Sequence, residues 1–188
     1  MLRIVEAGPG HAVMEMGIDY SRADVPERAY YADYCDVQKA RVGYSLLFGK
    51  LIPGTSKLRT KVEVSFPEDM FRRQLWGTSR DFHETVRTAA EKTKLPPVEN
   101  VEDTDKVQTF RSNNVFMGMW DGESLADFYY ISPRDIHFLR IKKKAEVSLE
   151  PVVRIVMATA LLYEFLEKCR PYAEGSPSEV EILKEGVL

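Results

Sequence analysis

Apolar and polar residues alternate one by one through much of the first half of the chain. Val42, Tyr44, Leu46 and Phe48 alternate with Gly43, Ser45, Leu47 and Gly49. After the loop Gly49 to Lys57, the residues Leu58, Thr60, Val62, Val64 and Phe66 alternate with Arg59, Lys61, Glu63 and Ser65. A period of two with one apolar and one wet face predicts half-buried antiparallel strands. Tyr30 to Val37 reads as a further, aromatic-rich strand ahead of them. Pro67 then fits the first position of a helix, where its missing N–H would be unpaired anyway, and the pattern predicts that helix from Glu68 to about Lys94.

The second half runs a similar course. Val107 to Ser112 reads as a strand, Asn113-Asn114 as a tight turn, and Val115 to Trp120 as a second strand. Asp121-Gly122 predicts a hairpin. Leu125, Asp127, Tyr129 and Ile131 then alternate with Ala126, Phe128 and Tyr130 in a third strand. Ser132 is the predicted N-cap of a helix that opens at Pro133, with Asp135 near its positive end. The run from Pro151 to Arg170 is apolar nearly all round and predicts a helix buried on more than one side. Ser176-Pro177-Ser178-Glu179 predicts a short closing helix to about Glu185.

Both halves read as strands, then proline, then helix. Phe66-Pro67-Glu68-Asp69-Met70 compares with Ser132-Pro133-Arg134-Asp135-Ile136, which predicts that the strand ending at Phe66 superposes on the strand ending at Ile131. The expected organisation is an N-terminal segment 1–29, a first three-strand-and-helix unit 30–94, a linker 95–106 with Pro96-Pro97, and a second unit 107–188 with extra C-terminal helices. The two form one compact domain. The expected fold class is α+β, with tandem strand-strand-strand-helix units forming antiparallel sheet packed by helices.

The chain has 188 residues, 44% apolar, with 9 Tyr and 9 Phe, enough for a core. A net charge of −3 argues against indiscriminate coating of nucleic acid. No apolar run reaches the ~18 residues of a membrane span, and the first residues lack the apolar core of a signal peptide, so the expected location is the cytoplasm and no membrane is expected as a partner. The charge is uneven: up to Lys94 there are 15 basic and 13 acidic residues, net +2, and beyond it 11 and 16, net −5.

Tyr31-Ala32-Asp33-Tyr34, the strand Tyr44 to Phe48, and Leu51-Ile52-Pro53-Gly54 through Lys57-Leu58-Arg59-Thr60-Lys61-Val62-Glu63-Val64-Ser65-Phe66-Pro67 together resemble a small bacterial family, domain of unknown function 3467. The resemblance covers about residues 30–76, with a weaker second copy at Ile131-Ser132-Pro133. It implies an α+β fold and no known reaction. Genes of some members neighbour those of the large RNA polymerase subunits, which implies an accessory role in transcription. Asp33 and Phe66 depart from that family's pattern.

No catalytic signature is present. Asp81, His83 and Glu84 share a helical turn, but Arg87 stands where a metal would need a second ligand. Cys35 lies among aromatic and acidic neighbours, the wrong field for a thiolate, and Cys169 ends an apolar segment. Two cysteines make no disulfide framework. The glycines around Gly8 and Gly49 lack the strand-loop-helix setting of a phosphate loop. Neither cofactor nor metal is expected. Arg59 and Lys61 share the wet face of one strand, and Arg72 and Arg73 ride the next helix, a candidate anion or nucleic-acid patch. Tyr31 and Tyr44 are the candidate aromatic contacts. The first expectation is thus a non-enzymatic protein-interaction or accessory subunit of a larger bacterial assembly that associates with itself or another protein. The alternative is a nucleic-acid-associated or transcription accessory factor using the basic face of the first unit.

Overall fold

The structure, a computed structural model, describes residues 3–6, 12–15, 23–68, 70–71, 80–92, 94–95, 100–102, 107–120, 122–135 and 148–173. The strands are β1 (Arg3–Glu6), β2 (Ala12–Glu15), β3 (Ala29–Ala32), β4 (Tyr34–Lys39), β5 (Tyr44–Leu51), β6 (Lys57–Phe66), β7 (Asn100–Glu102), β8 (Gln108–Arg111), β9 (Asn114–Trp120), β10 (Glu123–Tyr130) and β11 (Glu150–Ala158). The helices are α1 (Arg80–Ala90) and α2 (Thr159–Ala173). β1 and β2 pair with each other. The remaining strands form two sheets. In one, β4, β5 and β6 are antiparallel neighbours, and β7 and then β8 run parallel to successive stretches of β6. In the other, β9, β10 and β11 are antiparallel neighbours and β3 runs parallel to β11. The fold is α+β with mostly antiparallel sheets. No helix among the described residues is long and apolar enough to cross a membrane.

Each sheet therefore borrows a strand from the other half of the chain. The switch occurs at one polar residue in each half. Asp33 breaks the expected strand Tyr30–Val37 in two: its N–H donates to the Gly49 carbonyl and its carboxylate accepts from the Leu51 N–H. Asn113 does the same between β8 and β9. Its N–H donates to the Tyr129 carbonyl, its side-chain oxygen accepts from the Ile131 N–H, and its amide donates to the Ile131 carbonyl. Asn113-Asn114 is thus a crossing between sheets rather than a hairpin turn.

The two halves repeat in register. Adding 80 to every number carries the pairing of β4 with β5 onto that of β9 with β10, for example Tyr34–Gly49 onto Asn114–Tyr129. The pairing of β5 with β6 falls on that of β10 with β11 once β6 is advanced by 91, Phe48–Val62 onto Phe128–Val153. A bulge follows Phe48 in one half and Phe128 in the other. The swapped strands obey the same mapping, Val64–Phe110 onto Ile155–Tyr30. Equivalent residues meet: Phe48 packs on Phe128 with ring centroids 5.9 Å apart, and Tyr30 on Phe110 at 6.3 Å. Such self-meeting pairs mark an internal two-fold axis through the core.

The repeat differs from the expected alignment. The strand ending at Phe66 corresponds to β11 and not to the strand ending at Ile131; Ile131 is the counterpart of Leu51, and Pro133 of Pro53. Each unit has four strands, not three. The stretch from Pro151 that was expected to be helical is a strand up to Ala158, and the helix begins at Thr159. Its β-branched residues Val152, Val153, Ile155 and Val156 favour the pleated surface. Val153, Ile155 and Met157 face the core while the alternate residues are half-buried, the period of a strand. Part of the expected linker, Asn100–Glu102, is strand β7. Val42 lies outside its expected strand in the turn before β5, where Gly43 adopts φ +82°; a Cβ there would sit 2.1 Å from the Phe66 carbonyl oxygen.

The Ser132 N-cap is present, its hydroxyl accepting from the Asp135 N–H. Of the helix expected from Glu68, Arg80–Ala90 is helical, and residues 72–79 lie outside the described residues, as do most of the helix after Pro133 and the tail helix from Ser176. One core holds the inner faces of both sheets, with Leu161, Leu162, Phe165 and Leu166 of α2 closing it. α2 packs on α1, β4, β10 and β11.

Candidate nucleic-acid interface

Strand β6 shows water a basic edge-on row. Lys57, Arg59 and Lys61 are exposed, while Leu58, Thr60 and Val62 between them are buried. That is the pleat at work: residues two apart share a face. Strand β5 adds a cation that strict alternation would hide. Tyr44, Leu46 and Phe48 point inward, so Lys50 would follow them into the core. The bulge after Phe48 shifts the phase by one residue, and Lys50 emerges opposite Arg59. Glu63 on β6 is half-buried and accepts a 2.7 Å hydrogen bond from the Ser45 hydroxyl, and Glu102 on the neighbouring β7 stands in register with Arg59.

Tyr31 completes the patch. It lies on β3 just before the Asp33 switch, and its neighbour Tyr30 turns inward to Phe110. Tyr31 is 63% exposed, the most exposed aromatic ring among the described residues. The Lys50 ammonium lies 5.8 Å from its ring centroid, within reach of a cation–π contact. The strand switch and the bulge together bring an exposed ring, Lys50, Arg59 and Lys61 onto one surface.

Of the residues expected from sequence, Tyr31, Arg59 and Lys61 meet here. Arg72 and Arg73 lie outside the described residues. Tyr44 does not belong to the surface. It is 2% exposed, in phase with Leu46 and Phe48, and stacks on Phe71 with centroids 4.2 Å apart. The Lys39 ammonium covers its ring at 4.5 Å and bridges to Glu68 at 2.7 Å. Lys50, in the stretch expected to be a loop, lies instead on β5 opposite Arg59.

Cys35 and Cys169 are free and buried, and burial pushes the Cys35 thiol up to about 12 and the Cys169 thiol well above its ordinary value. Among the described residues no group of three His, Cys, Asp or Glu side chains is placed to hold a metal ion. The patch places ammonium and guanidinium groups beside a flat ring, groups of the kind that pair with phosphate and stack on bases. No protein-family model, no curated protein and no solved structure matches the chain.

Proposed function

We propose that this protein is a non-catalytic binding protein that holds a single-stranded nucleic acid against the exposed face of β5 and β6. One observation carries the reading: Lys50, Arg59 and Lys61 share a face, and the exposed Tyr31 ring lies against Lys50. Cations that track a backbone beside a ring that stacks on any base are what a single strand requires, whereas a duplex hides its base faces. The overall charge of −3 confines attraction to this face rather than spreading it over the molecule. The test is the affinity for a fluorescent single-stranded oligonucleotide as salt is raised. Wild-type binding falls steeply with salt, and Lys50→Glu with Lys61→Glu weakens it by roughly tenfold or more. Wild-type protein that shows no affinity at low salt removes the proposal.

A second reading, self-association of an accessory subunit, is favoured by β9. It carries no charged residue, and Phe116 and Trp120 are exposed on one face at 40% and 51%. Light scattering decides it: a wild-type dimer that Trp120→Glu converts to monomer supports it, and a wild-type monomer at high concentration removes it.

A further inference from the structure

The internal repeat gives the Tyr31–Lys50 pair a counterpart. Under the same mapping Tyr31 corresponds to Arg111 and Lys50 to Tyr130. The cation–ring contact survives with the roles exchanged: the Arg111 guanidinium lies 5.9 Å from the Tyr130 ring centroid, against 5.8 Å for Lys50 and Tyr31. The bulge after Phe128 turns Tyr130 outward as the bulge after Phe48 turns Lys50. The surroundings differ. The second pair opens into a groove of about 850 Å³ between β8, the ends of β10 and β11, and the segment before β3. Arg28 lies over the Phe110 ring in this groove, at 5.9 Å, and Asp24, Glu27 and Glu150 line it.

We infer that this groove is a second subsite for the same strand, one that takes an unpaired base; the inference rests on the function proposed above. Its volume is that of a small-molecule site. The two guanidiniums, each laid over a ring, give flat groups on which a base stacks. Three carboxylates against two guanidiniums make the interior a poor place for phosphate. Carboxylates do accept hydrogen bonds from exocyclic amines, so the groove selects a base that carries one, and cytosine against thymine tests this at equal ring size. Arg111, exposed at the rim, holds the adjoining phosphate.

The experiment measures anisotropy of labelled twelve-nucleotide oligodeoxycytidine and oligothymidine. Wild-type protein prefers the cytidine strand by roughly tenfold. Arg111→Ala with Tyr130→Ala loses that preference and weakens cytidine binding by a similar factor. Tyr31→Ala with Lys50→Ala weakens both strands alike and keeps the preference. Glu150→Gln, a change at an exposed side chain, keeps thymidine binding and lowers the preference, which covers the case in which the double variant misfolds. Wild-type binding without base preference, or a preference that both the groove double variant and Glu150→Gln leave intact, overturns the groove assignment while the proposed function stands. No binding to either strand overturns both.

Discussion

The central strands of the second sheet are tied on their outer face by one ion pair, and its energetics can be worked from the structure. Arg154 on β11 stands opposite Asp127 on β10. Its Nε and Nη2 donate to the two carboxylate oxygens at 2.6 Å each, a bidentate fork. Tyr129 adds a hydrogen bond to the same carboxylate. The Asp127 side chain is 4% exposed and that of Arg154 26%. Asp127→Ala strands a three-quarters-buried guanidinium, and Arg154→Ala strands an almost fully buried carboxylate. Removing one partner of a buried pair costs about 3–5 kcal/mol, which the remaining exposure of Arg154 lowers to about 2–3 for Asp127→Ala. Replacing both groups by apolar ones removes the unpaired charge. The counterpart of Asp127 in the first sheet is in fact Leu47, facing Glu63. Asp127→Leu with Arg154→Met is therefore expected within about 1 kcal/mol of wild type. Urea unfolding of the four proteins of this double-mutant cycle measures it, provided the slopes agree. Two single variants within about 0.5 kcal/mol of wild type, or a double variant as unstable as the sum of the singles, would refute the reasoning.

Further outcomes follow from the same core and its switches. Leu162 on α2 is fully buried, so Leu162→Asp is expected to abolish cooperative unfolding by circular dichroism, and Leu162→Met to cost less than about 1.5 kcal/mol. Asn113→Asp replaces the amide that donates to the Ile131 carbonyl by a buried anion and is expected to cost about 2–4 kcal/mol, whereas Asp33→Asn at the half-buried counterpart costs less than about 1, both by urea midpoint. The Cys35 thiol, raised to about 12 by burial, binds its proton more tightly folded than unfolded. Its contribution is complete below the unfolded value near 9.0 and is lost as pH rises toward about 12, up to about 4 kcal/mol. The urea midpoint is expected to fall from about pH 9 to 11, the fall to shrink in Cys35→Ala, and to flatten when Cys169→Ala is added, since burial raises that thiol as well.

Strands β5 and β6 were legible in the sequence because one face of each meets water, so polarity reports the pleat. β11 was not. Val152 and Val156 on its outer face are themselves half-buried, both faces are apolar, and a strand buried on two sides has the same composition as a buried helix. The switches at Asp33 and Asn113 were read as continuous strand and as turn, since a chain that changes sheets keeps extended geometry on either side. The proline signal aligns Pro67 with Pro133, whereas the strand pairings align Pro53 with Pro133. Between Ala29–Pro53 and their counterparts only Phe48/Phe128 and Pro53/Pro133 are identical, because the fold preserves inward and outward phase rather than residue type. At the site, Arg59 and Lys61 follow from alternation alone, and Tyr31 from the surplus of tyrosines. Lys50, Arg111 and Tyr130 depend on bulges and long-range pairing, which a local pattern does not encode.

The central claim is that Tyr31, Lys50, Arg59 and Lys61 form one surface that a single strand occupies. Amide chemical-shift mapping during titration with a short single-stranded oligonucleotide tests it most directly. The account predicts saturable shifts that begin at residues 31, 50, 59 and 61, with those of the buried Tyr44 and of Trp120 on β9 unmoved. Shifts centred on β9, or none at the four positions at saturating oligonucleotide, contradict it.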